Sequence, residues 1–120
     1  VPNKFFADFL RGLFDGDGTF YSYWDKRWTN SFVFHIVFSS ASLIFVKWLK
    51  HRLNILYNVK GFIRNGDGVF NLRYVKGDTK KLFLKMYHKK GLLFLSRKYI
   101  KIKDALEIDK TAHIAGLAHR

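Results

Sequence analysis

Two aspartates alternate with glycines where an apolar segment ends, in the stretch LRGLFDGDGTF that runs from Leu10 to Phe20. The carbonyl end of a helix carries partial negative charge, so Asp15 and Asp17 are electrostatically unfavourable at such an end. An Asp-Gly pair also favours a turn, which is the simpler explanation of Asp17. The alternative is a divalent cation, whose charge would offset both the carboxylates and the helix dipole. The residues alone leave both interpretations open.

The glycines of the same stretch have a spacing of their own. Gly12 and Gly16 lie one helical turn apart, so they share a face that carries almost no side chain. Such a face lets a second helix approach at backbone distance, whereas a chance glycine followed by a glycine cap would need no partner. The apolar residues around them have the i, i+3, i+4 spacing of an amphipathic helix that ends at the glycines. These residues are Phe5, Phe6, Phe9, Leu10, Leu13 and Phe14.

The charge balance indicates a polyanionic partner. Twenty-two Lys and Arg residues stand against nine Asp and Glu residues, a formal net charge of +13. Self-repulsion of this size disfavours a compact chain unless a nucleic acid or an anionic membrane compensates it. The sequence has no apolar run long enough to span a membrane and no signal peptide, so we expect no membrane partner. The absence of cysteine is compatible with a reducing compartment, and we expect an intracellular location in the cytoplasm, the nucleoid or an organelle matrix.

The predicted elements follow the order helix, two strands, helix, two strands, helix, helix. This order predicts one α+β domain over residues 1–120, with a core at about 4–109 and a loose tail at 110–120. It also predicts a four-stranded antiparallel sheet with helices on one face and an open face on the other. After the first helix, the expected elements are strands Thr19–Trp24 and Ser31–Ser39, a helix Ser42–Leu53, a hairpin of Tyr57–Arg64 and Val69–Lys76, a helix from Asp78 or Thr79 to about Lys90, and a helix Arg97–Ile108.

Alternation along the strands assigns side chains to the open face. In the second strand, four large apolar residues from Phe32 to Phe38 share one parity and are expected to face the helices. The opposite parity carries groups that can donate to base edges and phosphates, although an ordinary solvated sheet face would look similar. The expected open-face residues are Tyr21, Tyr23, Asp25, Arg27, Ser31, His35, Ser39, Asn58, Lys60, Phe62, Arg64, Asn71 and Arg73.

The segment LRGLFDGDG resembles the signature helix of the LAGLIDADG homing endonucleases. The order of elements over residues 4–109 is similar to the αββαββα core of that family. The departures are Arg11, where the motif has alanine, and Phe14 and Gly16 at tolerant positions. A side chain as long as Arg11 must point away from any helix–helix seam. The resemblance implies a site-specific DNA endonuclease whose sheet forms a saddle over the DNA.

The resemblance also implies roles at the end of the helix. Asp17 would be the metal-binding acid, Gly16 would lend its backbone carbonyl, and Asp15 would hold the helix end without binding the metal. The metal would be Mg²⁺ or Mn²⁺, and the chemistry would be hydrolysis of a phosphodiester. The basic residues that the family places near the scissile phosphates match Lys98 best and Arg97 second.

One family feature is missing from the sequence. Where the second strand meets the second helix the family often has a glutamine, and this chain has Ser39 and Ser40. These serines are included among the expected DNA contacts, but a serine does not reproduce the amide of glutamine. The sequence therefore keeps a second possibility open, a non-cleaving relative such as an RNA-splicing maturase or a transcription factor.

A single motif supplies one metal-binding acid, and the paired site needs two. The simplest completion is a two-fold homodimer that recognises a pseudo-palindromic DNA site. We expect its interface to contain Leu10, Gly12, Leu13 and Gly16. The alternative is that the chain is one half of a double-motif enzyme. In either case an intron or another mobile element is the expected source.

Overall fold

The computed structural model describes residues 1–25, 31–87 and 96–114. Its four strands form one antiparallel sheet in the order β1-β2-β4-β3, and all four helices contact that sheet or one another. The predicted α+β fold is therefore confirmed. After a 3-10 turn at Asn3–Phe5, the elements are α1 (Phe6–Asp17), β1 (Gly18–Asp25), β2 (Ser31–Ser40), α2 (Leu43–Tyr57), β3 (Phe62–Asn65), β4 (Phe70–Tyr74), α3 (Lys76–Met86) and α4 (Ser96–Ile114).

The strand register separates the two faces of the sheet. Residues directly opposite each other in an antiparallel pair share a face. On the helix side, Phe34 and Ile36 of β2 are completely buried, and Ile36 pairs with Tyr74 of β4. On the other side, His35 pairs with Tyr21 of β1. The alternation predicted for β2 and β4 is thus confirmed, and no helix of the described residues covers the other face of the sheet.

The connection between α2 and β3 differs from the prediction. Helix α2 continues to Tyr57 instead of ending at Leu53, and β3 begins only at Phe62. Asn58 ends the helix in the left-handed conformation with φ 55°, a backbone state that asparagine tolerates better than most residues. Asn58 and Lys60 therefore lie in a connection and not on a strand, so their predicted place on the open sheet face is wrong.

The bounds of the last two helices also differ. Helix α3 begins at Lys76 and not at Asp78 or Thr79. The Thr79 hydroxyl lies inside the helix, where it donates to the Tyr74 carbonyl at 2.9 Å and accepts from the Ile36 amide at 3.2 Å. Helix α4 extends to Ile114, so residues 110–114 are not a loose tail. The parts of these predictions that fall on residues 88–95 and 115–120 lie outside the described residues. Among the described helices, none is long and apolar enough to cross a membrane.

A buried ion cluster explains why these helices extend beyond their local signals. Asp109 of α4 is paired with Lys76 at the start of α3 and with Lys80 at 2.9 Å. Burial by itself raises the pKa of Asp109, but the hydrogen bonds and charges of the two lysines outweigh it and hold the pKa below its ordinary value of 3.8. The carboxylate therefore favours the folded state wherever it is ionised.

Asp109→Asn should lower the free energy of unfolding by about 3 kcal/mol at neutral pH, because two lysines lose a buried counter-charge. The depressed pKa means that the wild-type advantage is complete above the unfolded value of 3.8 and is lost as the pH falls through the folded pKa below it. Urea unfolding across this range measures the difference. Asp104→Asn, at an exposed position of the same helix, is the control. A difference independent of pH would contradict the assignment.

Candidate functional site

The end of α1 passes directly into β1. Asp17 is the last residue of the helix, which ends at the glycines as predicted, and the amide of Gly18 still donates to the carbonyl of Phe14. A Cβ atom on Gly18 would lie 2.3 Å from the Phe14 ring and 2.8 Å from its backbone, so only glycine fits there. The Asp17 carboxylate is exposed at this junction. No hydrogen bond or ion pair to its side chain occurs within residues 1–25, 31–87 and 96–114.

Lys98 of α4 closes the same helix end. Its ammonium group donates to the backbone carbonyls of Phe14, Asp15 and Gly18 at 2.6, 3.0 and 2.6 Å. An ammonium group has three hydrogens, so these bonds use all of its donors. A cation at this position offsets the partial negative charge of the helix end. Burial lowers the pKa of Lys98, while the carboxylates of Asp15 and Asp17 oppose this shift.

The predicted basic residues thus occupy different surroundings. Lys98 lies at the predicted site, but its contacts are with the backbone of α1, and they leave the Gly16 carbonyl out. The side chain of its neighbour Arg97 is exposed. Sequence reasoning placed Lys98 near the reacting phosphates and did not foresee that it caps the helix that carries Asp17.

Tyr87 was not foreseen either. Its hydroxyl donates to the Asp15 carboxylate at 3.2 Å, and its ring packs against Phe83 and Tyr99. Burial and the charge of Asp15 raise the pKa of Tyr87, so it remains a donor at neutral pH. Asp15 is therefore turned toward the helix layer, in agreement with a supporting role for this carboxylate. No motif marks Tyr87 in the sequence, because it lies 72 residues away from Asp15.

The donors at this helix end suit a hard divalent cation, but one chain supplies few of them. The Asp17 carboxylate and the Gly16 carbonyl are oxygen ligands of the kind that Mg²⁺ and Mn²⁺ accept. Within the described part of the chain, no group of three or more His, Cys, Asp or Glu side chains could hold a metal ion. The remaining ligands would have to come from a second helix of the same kind, from water or from a phosphate.

The glycine face of α1 is open. Gly12 and Gly16 are exposed, and a Cβ atom on either would have no neighbour within 4 Å. Leu13 beside them is partly buried, whereas Leu10 is completely buried in the core and supports the helix from within. The predicted interface therefore consists of Gly12, Leu13 and Gly16 at its surface, and Leu10 cannot contact a partner directly.

Arg11 points away from this face, as the sequence required. Its guanidinium group donates to the carbonyl of Met86 at the end of α3 at 3.0 Å and pairs with Asp8 at 3.1 Å. Only 8% of the residue is exposed. Arg11 thus joins α1 to α3 and leaves the glycine face free for another helix.

The uncovered face of the sheet forms a shallow depression of about 540 Å³. It brings together most of the residues that the strand parity assigned to the open face. Its lining also contains Val37, which shares the parity of His35, and Ser22 and Asn65, which sequence reasoning did not assign to the open face. The lining residues are Tyr21, Ser22, Tyr23, His35, Val37, Ser39, Arg64, Asn65, Asn71 and Arg73.

Two hydrogen bonds order the centre of this depression. A guanidinium nitrogen of Arg73 lies 3.2 Å from Nε2 of His35. Arginine can only donate, so this ring nitrogen is the acceptor and the imidazole is neutral. Burial and the charge of Arg73 both lower the pKa of His35, in agreement with a neutral ring. Beside this pair, the hydroxyl of Ser39 donates to the side-chain carbonyl of Asn71 at 2.6 Å.

The other residues predicted to contact DNA are not among the residues that line this depression. Asp25 has the expected parity but is only 7% exposed. Ser40 pairs with Phe70 on the helix side, and its hydroxyl accepts from the Ser42 amide at 3.1 Å. Phe62 lies on the open side next to Arg73 and is 54% exposed. Arg27 and the side chain of Ser31 lie outside the described residues.

Replacing Lys98 by methionine should destabilise the protein, because three carbonyls at the end of α1 lose their donor while the alkyl chain is kept. We expect the free energy of unfolding to fall by about 2 kcal/mol. Denaturant unfolding measures the change, with Lys101→Met at an exposed position of α4 as the control. Equal stability of the two variants would mean that the cap contributes nothing to the fold.

Comparison with known proteins identifies the architecture. The model of the LAGLIDADG-like domain family matches residues 4–87. The homing endonuclease I-TnaI superposes with a TM-score of 0.64 at 19% identity, over 91% of this chain and 74% of its own. The archaeal intron-encoded homing endonuclease I-Vdi141I, solved with DNA, gives 0.66 at 10% identity, over 94% and 74%.

A third similar structure is a variant of I-DmoI in complex with its nicked target DNA in the presence of manganese. It superposes with a TM-score of 0.57 at 23% identity, over 73% of this chain and 50% of its own, so the present chain spans half of that relative. At these identities the likeness concerns the fold. No curated protein matches the chain.

Proposed function

Because the chain belongs to the LAGLIDADG-like domain family, we propose that it is a site-specific DNA endonuclease that acts as a homodimer and requires a divalent metal. The observation that carries this proposal is the junction of α1 and β1, where an exposed Asp17 stands beside the open Gly12–Gly16 face. A second copy packed on that face would bring a second Asp17 to the same place.

The metal-binding residues would be Asp17 and the carbonyl of Gly16 from each chain. When bound there, Mg²⁺ or Mn²⁺ would supply the activation of a water molecule and the stabilisation of the leaving oxygen. The protein's own contribution is positioning. Lys98 and Tyr87 hold the helix end from which Asp17 projects, Lys98 through the carbonyls and Tyr87 through Asp15. We therefore assign Lys98 a positioning role, with exposed Arg97 as the candidate that contacts phosphate.

The uncovered sheet face would recognise the DNA. Its lining combines arginine, asparagine, histidine and tyrosine side chains, which can donate to base edges in the major groove. The net charge of +13 supplies the attraction to phosphate. A two-fold dimer would place one such face on each half of a pseudo-palindromic target, and an intron or another mobile element would encode the chain.

Cleavage of a randomised DNA library tests the proposal. The purified chain, incubated with Mg²⁺ or Mn²⁺, should enrich one long, roughly palindromic sequence among the cut ends. The same reaction with a chelator should leave the library intact. Metal-dependent cutting without any sequence enrichment would contradict site-specificity, and selective binding without cutting would favour the other candidate.

That other candidate is a non-cleaving nucleic-acid binder on the same fold. One observation favours it: where the family often has glutamine, Ser39 is tied to Asn71 and Ser40 to its own turn. Each hydroxyl already has one hydrogen-bond partner, and a serine side chain lacks the reach and the second polar group with which an extended amide can position a water molecule. The cleavage assay above separates the two candidates.

Arg73→Ala should reduce specificity at particular base pairs, because His35 already orients the guanidinium group toward the open face. A bidentate contact to guanine predicts a loss of about 1–3 kcal/mol at those positions only. Binding to a set of single-base-pair variants of the enriched target measures this, and Arg64→Ala tests a second position on the same face. An even loss of affinity across all variants would mean that Arg73 contacts the backbone alone.

A further inference from the structure

A second basic surface lies on the helix side of the sheet edge, outside the depression described above. Helix α2 presents Lys47, Lys50, His51 and Asn54 at positions i, i+3, i+4 and i+7, which share one face of a helix. These side chains line a groove whose floor is Ile63 of β3. We call this surface the α2–β3 groove.

The groove continues around the edge of the sheet. A second stretch of it is lined by Lys50, Asn54, Lys60, Gly61, Phe62 and Ile63. Lys50, Asn54 and Ile63 line both stretches, so both belong to the α2–β3 groove. Lys60, which we predicted from the sequence to lie on the open sheet face, lines this groove instead.

Among the described residues, none of the side chains that line the groove is acidic. The carboxylate of Asp78 approaches it, but there it accepts the backbone amide of Lys60 at 3.2 Å. Within the part of the chain that the structure describes, neither Lys47 nor Lys50 forms an ion pair. The positive charge of the groove is therefore uncompensated, although two of its lysines lie within one helical turn of each other.

The position of the groove indicates its ligand. Strand β3 is an edge strand, with Phe62 and Arg64 on the open face and Ile63 in the groove. Four strands spaced about 4.8 Å apart are about 14 Å wide, and the major groove is about 12 Å wide. A sheet seated in the major groove must therefore meet a sugar–phosphate backbone along its edge. The side of β3 that turns away from the bases carries Ile63, which lies in the groove together with the lysines of α2.

We propose that the α2–β3 groove binds phosphates of the DNA backbone that borders the edge strand β3. This inference rests on the proposed function, because it requires the sheet to lie on a DNA duplex. The groove would contribute affinity and register without selecting bases, since phosphate contacts carry no sequence information. It would also hold the edge strand against the duplex, so that Arg64 remains within reach of the base edges.

A matched pair of double variants tests the proposal. Lys47→Gln/Lys50→Gln removes two charges from the groove, and Lys103→Gln/Lys110→Gln removes two exposed charges from α4. Each variant is titrated with the enriched target duplex over a range of salt concentrations. Two lost phosphate contacts per chain, four per dimer, should reduce the slope of log K against log salt by about 3.6 in the groove variant. The affinity should fall about tenfold at low salt, and base preference should stay unchanged.

Phosphate ethylation interference supplies the positional readout. Ethylation of a few adjacent phosphates should weaken the wild-type complex and should have no effect on the groove variant. Equal slopes for the groove and the α4 variants would overturn the proposal. So would a groove variant that binds DNA normally and loses affinity only for RNA. A wild-type chain that binds no duplex would contradict the proposed function itself. A groove variant that cuts DNA as well as the wild type does, and that gives the same interference pattern, would contradict only the inference.

Discussion

Asp17→Asn should abolish DNA cleavage while DNA binding stays within about tenfold of the wild type. The carboxylate projects from the end of α1 without a hydrogen-bond or ion-pair partner in the described residues, so its neutralisation breaks no hydrogen bond or ion pair of the fold. An amide of the same size would keep the shape of the helix end and lose the charge that a divalent cation requires. We expect the rate of strand cleavage to fall by about 10³-fold or more.

Two controls separate this effect from a general change in charge. Asp67→Asn removes one exposed carboxylate from the β3–β4 turn, far from α1 in the chain, and should leave both binding and cleavage unchanged. Binding of the Asp17 variant, measured with Ca²⁺ in place of Mg²⁺, shows whether the complex still forms. Cleavage by Asp17→Asn at the wild-type rate would remove this residue from the mechanism.

Gly12→Leu should prevent dimerisation and with it double-strand cleavage. In the isolated chain a Cβ atom on Gly12 has no neighbour within 4 Å and the position is exposed, so we expect the variant to fold as the wild type does. In the dimer the same side chain would lie between two helices that approach at backbone distance, and they would separate by more than a packed interface tolerates. Sedimentation should show a monomer at concentrations where the wild type is a dimer.

Gly77→Leu is the matched control, because Gly77 is also helical, exposed and without neighbours within 4 Å of a Cβ atom. It carries the same substitution on α3 and should leave the dimer intact. Circular dichroism of both variants verifies that each is folded. A dimeric Gly12→Leu protein would place the interface elsewhere, and a monomeric wild type would favour the half-enzyme alternative.

The strands could be predicted because their signal is local. Alternation in β2 and β4 identified the buried parity, and with it Arg73, Asn71 and His35 on the open face. The motif in α1 likewise marked Gly12 and Gly16, which the structure leaves exposed. In each case the side chains of one short segment determine the outcome, so the sequence contains the information.

Errors arose where distant residues determine the structure. Lys76 at the start of α3 is paired with Asp109, more than thirty positions further along the chain, and the cap of α1 is formed by Lys98, 80 residues beyond Gly18. Nothing near Lys98 indicates that its ammonium group is used up by backbone carbonyls. Lys60 was misplaced for a different reason, because α2 continued for one more turn and displaced the start of β3.

The alternation of buried and exposed side chains along each strand affects how such a protein could acquire a new target. On the helix side, a change at Phe34 or Leu72 would open a cavity and cost about 3 kcal/mol or more. On the open side of the sheet, substitution of exposed residues such as Tyr21 and Arg64 should change the free energy of unfolding by about 0.5 kcal/mol or less. If the open face contacts bases as we propose, mutation can explore those contacts almost independently of folding. His35 and Val37 are the exceptions, since their neighbours cover them, and the centre of the recognition surface should be the slowest part to evolve.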